Sequence, residues 1–140
     1  MLEIYDTGTA VKIKDLKDGE LFPYWLHFSQ KHFVVFESNA LHIGKIDPEL
    51  AGQIIKVYEL LKVFVENMGI NGRYLADRDQ TNWALRFNST DKNLLDRRDW
   101  IESCMVNQAK DMKKLDAKIR FELDEFFKRC DKLKQQRCCK

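Results

Sequence analysis

The residues whose types could support acid–base or metal chemistry are the histidines His27, His32 and His42 and the carboxylates Asp77 and Asp79. His27 and His32 are separated by four residues, a spacing found in half of some zinc sites, but no pair of cysteines precedes them to complete four ligands. Each histidine therefore reads as a hydrogen-bonded or solvent-facing side chain. In Asp77-Arg78-Asp79 an extended backbone would send both carboxylates to one side, where they could meet a divalent cation. Two acids alone do not hold a metal, and Arg73, Arg78 and Arg86 are near enough in sequence to neutralise them. The cluster Arg97-Arg98-Asp99, near the start of the long helical segment, reads as surface.

The cysteines Cys104, Cys130, Cys138 and Cys139 all fall in the last 37 residues, without a Cys-x-x-Cys spacing, so a disulfide framework is not expected. Cys104 and Cys130 read as small apolar residues of a helix, and the adjacent terminal pair lacks the preorganised partners of a metal or redox site. The sequence contains no His-Glu-x-x-His, no Gly-x-Ser-x-Gly and no glycine-rich phosphate loop. It points away from an enzyme, and implies no cofactor and no metal.

The elements that would position these residues follow from composition and periodicity. With 140 residues, 44% apolar and 33% charged, a single soluble domain is expected. The longest apolar-rich stretch, Ile54 to Val65, is interrupted by Lys56, Glu59 and Lys62, so no membrane span is expected. The N-terminus lacks a signal-peptide pattern, which makes the cytoplasm the expected compartment.

Turn-forming groups punctuate residues 1–47, and the intervening runs Leu2–Tyr5, Ala10–Lys14, Tyr24–Phe28, Phe33–Glu37 and Leu41–Lys45 read as strands. Asp47-Pro48-Glu49 starts a central helix over 48–68, with Asp47 as cap and Pro48 in the first turn. Its seam is Leu50, Ile54, Val57, Leu61, Phe64 and Met68, and the reading ends it at Gly69, before Asn71-Gly72. A connector over 73–88 contains the alternating Trp83, Leu85 and Phe87, read as a short strand. Asn88-Ser89-Thr90-Asp91 is a cap cluster.

From 91 to 136 no glycine or proline interrupts the chain, and a tail over 137–140 closes it. Ile101, Met105, Gln108, Met112, Leu115 and Ile119 recur at spacings of 4 and 3, and after one stutter Leu123, Phe126, Cys130 and Leu133 continue the stripe. Asp116–Arg120, Asp124–Lys128 and Glu125–Arg129 are acid-first pairs that support a helix there. A single helix from Asp99 to Gln136 would reach roughly 57 Å, longer than a domain of this size. A pair of helices is the other arrangement of this segment.

The expected fold class is α+β: a small N-terminal antiparallel β-sheet or meander on a central helix, followed by a long C-terminal helix with partial coiled-coil spacing. The stripe Met112, Leu115, Ile119, Leu123, Phe126, Cys130 and Leu133 is then an association face, and the expected function is a non-enzymatic interaction, assembly or adaptor protein that forms a homodimer or docks on another protein. The charge balance runs −2, 0 and +4 over residues 1–47, 48–99 and 100–140. The alternative is a regulator contacting nucleic acid through Lys128, Arg129, Lys132, Lys134, Arg137 and Lys140. Aromatic residues around Trp25 and Phe28 suit base stacking, but they lie in the acidic third of the chain. A small enzyme built on His27, His32, Asp77 and Asp79 is the second alternative.

Overall fold

The computed structural model describes residues 9–24, 45 and 47–138, and all regular structure among them is helical. The elements are α1 (Thr9–Lys14), α2 (Pro48–Leu85) and α3 (Lys92–Cys138). The described residues divide into two compact units, one made of 9–24 with 64–116 and the other of 45 and 47–63 with 117–138.

This corrects the α+β expectation at three places. The run Ala10–Lys14, expected as a strand, lies in α1. The helix expected to end at Gly69 runs on through Asn71 and Gly72 to Leu85. The expected strand through Trp83, Leu85 and Phe87 is instead the end of that helix and the turn after it. The other expected strands, Leu2–Tyr5, Tyr24–Phe28, Phe33–Glu37 and Leu41–Lys45, lie wholly or almost wholly outside the described residues.

Each departure has a physical cause. Glycine weakens a helix interior by about 1 kcal/mol, a cost that packing on both sides of it can offset. Met68, Asn71 and Leu75 continue the seam at 4, 3 and 4 residues from Phe64, and all four are buried. Asn71 is a polar residue in an apolar position, so the pattern broke in the sequence where it continues in space. Positions two apart differ by about 200° around a helix. Leu85 is therefore inside and Trp83 outside, so residues that a strand would place on one face fall on opposite sides of the helix.

In the first unit, residues 64–85 and 92–116 pack antiparallel, joined by the short turn Arg86–Asp91. Asp91 caps α3, its Oδ1 accepting the N–H groups of Asn93 at 2.9 Å and Leu94 at 3.2 Å. Leu75, Ile101 and Met105 form a buried cluster with Leu21 and Tyr74 against it. Burying a side chain of this size contributes about 1.5–3 kcal/mol. Residues 9–24 add a third layer, placing the fully buried Ile13 and Phe22 on the pair.

Three polar ties fix that arrangement. The buried Asn71 donates from Nδ2 to the carbonyls of Phe22 (3.0 Å) and Tyr24 (3.4 Å). Lys113 donates from Nζ to the Leu16 carbonyl at 2.6 Å. Gln108 donates from Nε2 to Asn67 Oδ1 at 2.6 Å and to the Asn67 carbonyl at 3.2 Å. Between α1 and Phe22 the chain turns at Lys17–Glu20, where Gly19 has φ of 88°, a conformation that side chains resist.

In the second unit, residues 48–63 and 117–138 also pack antiparallel. The Asp47 carboxylate caps α2, with Oδ1 accepting from the N–H groups of Glu49 at 2.9 Å and Leu50 at 3.1 Å. Ala51, Val57 and Ile119 are its buried apolar residues among those described. Lys56 and Glu122 pair across the helices at 2.6 Å.

Candidate association surface

The stripe of α3 is covered to different degrees in the two units. In the first, Ile101, Met105 and Met112 have no exposed surface and Ala109 is 4% exposed. In the second, Ile119 is fully covered, but Leu123, Phe126, Cys130 and Leu133 are only half-buried. Phe127 is 39% exposed and meets Phe126 edge-on, with ring centroids 5.3 Å apart. Leu123, Phe126, Cys130 and Leu133 follow at spacings of 3, 4 and 3, so they form one row along a helix face. Two helices can bury only a narrow stripe between them, and in the second unit large apolar residues remain at its margin.

The expected association face therefore divides. Met112 and Ile119 have no surface to offer, Leu115 is half-buried in the first unit, and Leu123, Phe126, Cys130 and Leu133 form the open row in the second.

The expected anion contacts lie on the same part of α3. Lys128 pairs with Glu125 at 2.8 Å, and each holds the other in its charged form, the Glu125 carboxyl below and the Lys128 ammonium above the usual range. Lys134 pairs with Asp131 at 3.7 Å. Arg129 does not take the helical pairing with Glu125 expected from sequence. It turns instead to Glu49 and to Asp47, the latter at 3.4 Å, and these carboxylates, Glu49 foremost, raise its pKa. Lys132 is exposed, while the side chain of Arg137 and all of Lys140 fall outside the described residues.

An open groove of about 500 Å³ lies beside this cluster, lined by Gln53, Glu125, Lys128, Arg129, Lys132 and Gln135 among others. Most of its cations already face a carboxylate of the same unit, so the groove carries charges of both signs rather than a positive field.

Asp77 and Asp79 do not converge. On α2 they are two residues apart and point to different sides, where Asp77 meets Arg97 at 3.4 Å and Asp79 meets its neighbour Arg78 at 3.6 Å. Arg98 pairs with Asp99 at 3.0 Å. His27, His32 and His42 lie outside the described residues. Among the described residues no group of three or more His, Cys, Asp or Glu side chains could hold a metal ion, and no helix is long and apolar enough to cross a membrane. Cys104 and Cys130 are free and half-buried.

Sequence reasoning missed the exposed aromatic residues at the end of α2, Trp83 (61% exposed) and Phe87 (75% exposed), because it assigned them to a strand. Comparison with protein-family models, with curated proteins and with solved structures returns no match to this chain.

Proposed function

We propose that this chain is a non-enzymatic assembly protein that pairs with a second copy of itself through the open row of α3, formed by Leu123, Phe126, Cys130 and Leu133 with Phe127 at its margin. The observation that carries this reading is the unequal covering of one stripe, sealed at Ile101, Met105 and Met112 and open from Leu123 onward. A row of apolar side chains left only half-buried favours association, because each square ångström removed from water contributes about 25 cal/mol. A two-fold pairing would lay the rows of two copies against each other and convert two helices into a four-helix arrangement. The local ion pairs of Lys128 and Lys134 keep the flanks of the row polar without closing it.

Light scattering across a concentration series tests the reading. The full-length chain should be a dimer, and Leu123→Asp and Phe126→Asp should be monomers of unchanged helicity. A monomeric wild-type chain at high micromolar concentration would sink it, as would dimers that survive both substitutions. Nucleic acid that co-purifies with the chain and is released by salt would instead favour the basic residues Lys128, Arg129 and Lys132 as the working surface.

A further inference from the structure

The geometry points to a second surface, outside the α3 row: the tip of the helical hairpin in the first unit, which we assign to docking on an anionic lipid surface. Leu85 ends α2 facing inward, and the turn after it is tight, with Arg86 N–H donating to the Trp83 carbonyl at 3.2 Å and Phe87 N–H to the Ala84 carbonyl at 3.1 Å. That turn throws two large rings outward. Trp83 and Phe87 are 61% and 75% exposed and meet edge-on with centroids 4.8 Å apart, so each ring covers little of the other. Residues 86–90 are all exposed, which makes the tip a convex end rather than a groove.

The charges of the tip decide what it fits. Arg86 and Lys92 are exposed cations on either side of Phe87. The one acid of the turn, Asp91, is committed to the helix, since its carboxylate accepts the N–H groups of Asn93 and Leu94 and faces the side-chain amide of Asn88 at 3.4 Å. Beyond the turn, the acids nearest the tip are Asp79, one turn before Trp83 on α2 and paired with Arg78 at 3.6 Å, and Asp96, a full turn beyond Asp91 on α3. Two apolar rings flanked by two cations match the layering of an anionic bilayer surface, where Trp and Phe enter below the headgroups and Arg and Lys remain among the phosphates. A convex tip suits a soft surface that needs no complementary pocket. Docking of this kind requires no spanning helix and does not depend on the pairing of α3.

Flotation of the full-length chain with phosphatidylcholine vesicles, with and without phosphatidylserine, tests the assignment. The chain should float with the anionic vesicles and release them as salt is raised. Trp83→Ser with Phe87→Ser should weaken binding about tenfold or more, and Arg86→Glu should weaken it on anionic vesicles in particular. Phe121→Ser, which changes an exposed aromatic residue of the other unit, should leave flotation unchanged and serves as the control. The assignment is overturned if the wild-type chain does not float, or if the Trp83→Ser, Phe87→Ser chain floats equally well. It is also overturned if that variant alters the oligomeric state while flotation persists, since the rings would then be a protein contact. Loss of dimerisation in Phe126→Asp with flotation retained would separate the two surfaces.

Discussion

Arg129 donates from Nη2 to both carboxylate oxygens of Asp47 at 3.4 Å, although the two residues are 82 positions apart. The same carboxylate caps the first turn of α2, so one side chain both starts a helix and anchors the end of its partner. Its proton affinity reports on both roles. The Leu50 N–H above all, then the Glu49 N–H and the Arg129 guanidinium, hold the Asp47 carboxyl below the usual range.

A carboxyl whose pKa is lowered by folding stabilises the folded chain above its unfolded pKa, and that contribution is lost as the pH falls through the folded value. The second unit should therefore weaken from the ordinary carboxylate range downward. Asn caps a helix nearly as well as Asp but cannot pair with Arg129 as an anion. Chemical denaturation at neutral pH should rank wild type above Asp47→Asn and Asp47→Asn above Asp47→Ala, with the first two converging in acid. Parallel pH profiles for wild type and Asp47→Asn would contradict this account.

Gly69 lies inside α2 with nothing within 4 Å of the place a Cβ would occupy, and its φ is not positive. Gly69→Ala should stabilise the protein by about 1 kcal/mol. A helix that ended there would give the opposite sign, so the direction of the change in Tm distinguishes a continuous α2 from an interrupted one.

Asn71 is buried, and its Nδ2 serves two carbonyls of the N-terminal segment. Asn71→Leu should cost about 1–3 kcal/mol, because the Phe22 and Tyr24 carbonyls lose their donor. Hydrogen exchange should show the loss first in residues 20–24. Equal protection of that segment in both proteins would mean that packing alone holds it.

Ile101 and Met105 are fully covered, and truncating either to Ala should cost about 2–5 kcal/mol. Leu133→Ala, on the half-buried row, should cost the isolated chain less and act mainly on association. Denaturation at low and high protein concentration separates the two effects, and identical concentration dependence in Leu133→Ala and wild type would remove Leu133 from the dimer contact.

The sequence was most informative where local chemistry is self-contained. Asp47-Pro48 and Asn88–Asp91 are read as helix starts without knowing the fold, because a cap acts on backbone within three residues, and both Asp47 and Asp91 cap their helices. The absence of breakers after Asp91 likewise corresponds to one uninterrupted α3. What escaped was decided at a distance. Asn71-Gly72 has the composition of a turn, and only the Phe22 and Tyr24 carbonyls, 49 and 47 residues away, account for an asparagine on the seam. Met112, Leu115 and Ile119 were read as part of the association face, although Met112 is buried in the same unit as Phe64, Met68 and Leu75. Arg129 was assigned to Glu125 because spacing along one helix is visible in sequence and proximity to another is not.

The pairing of Gln108 with Asn67 has a further consequence for how the first unit reaches one alignment. Two greasy helices with repeating rows can slide past each other by a turn or two and still bury similar amounts of hydrocarbon. A polar rung works against that degeneracy, since a slipped register parts the half-buried Gln108 amide from its two acceptors on Asn67.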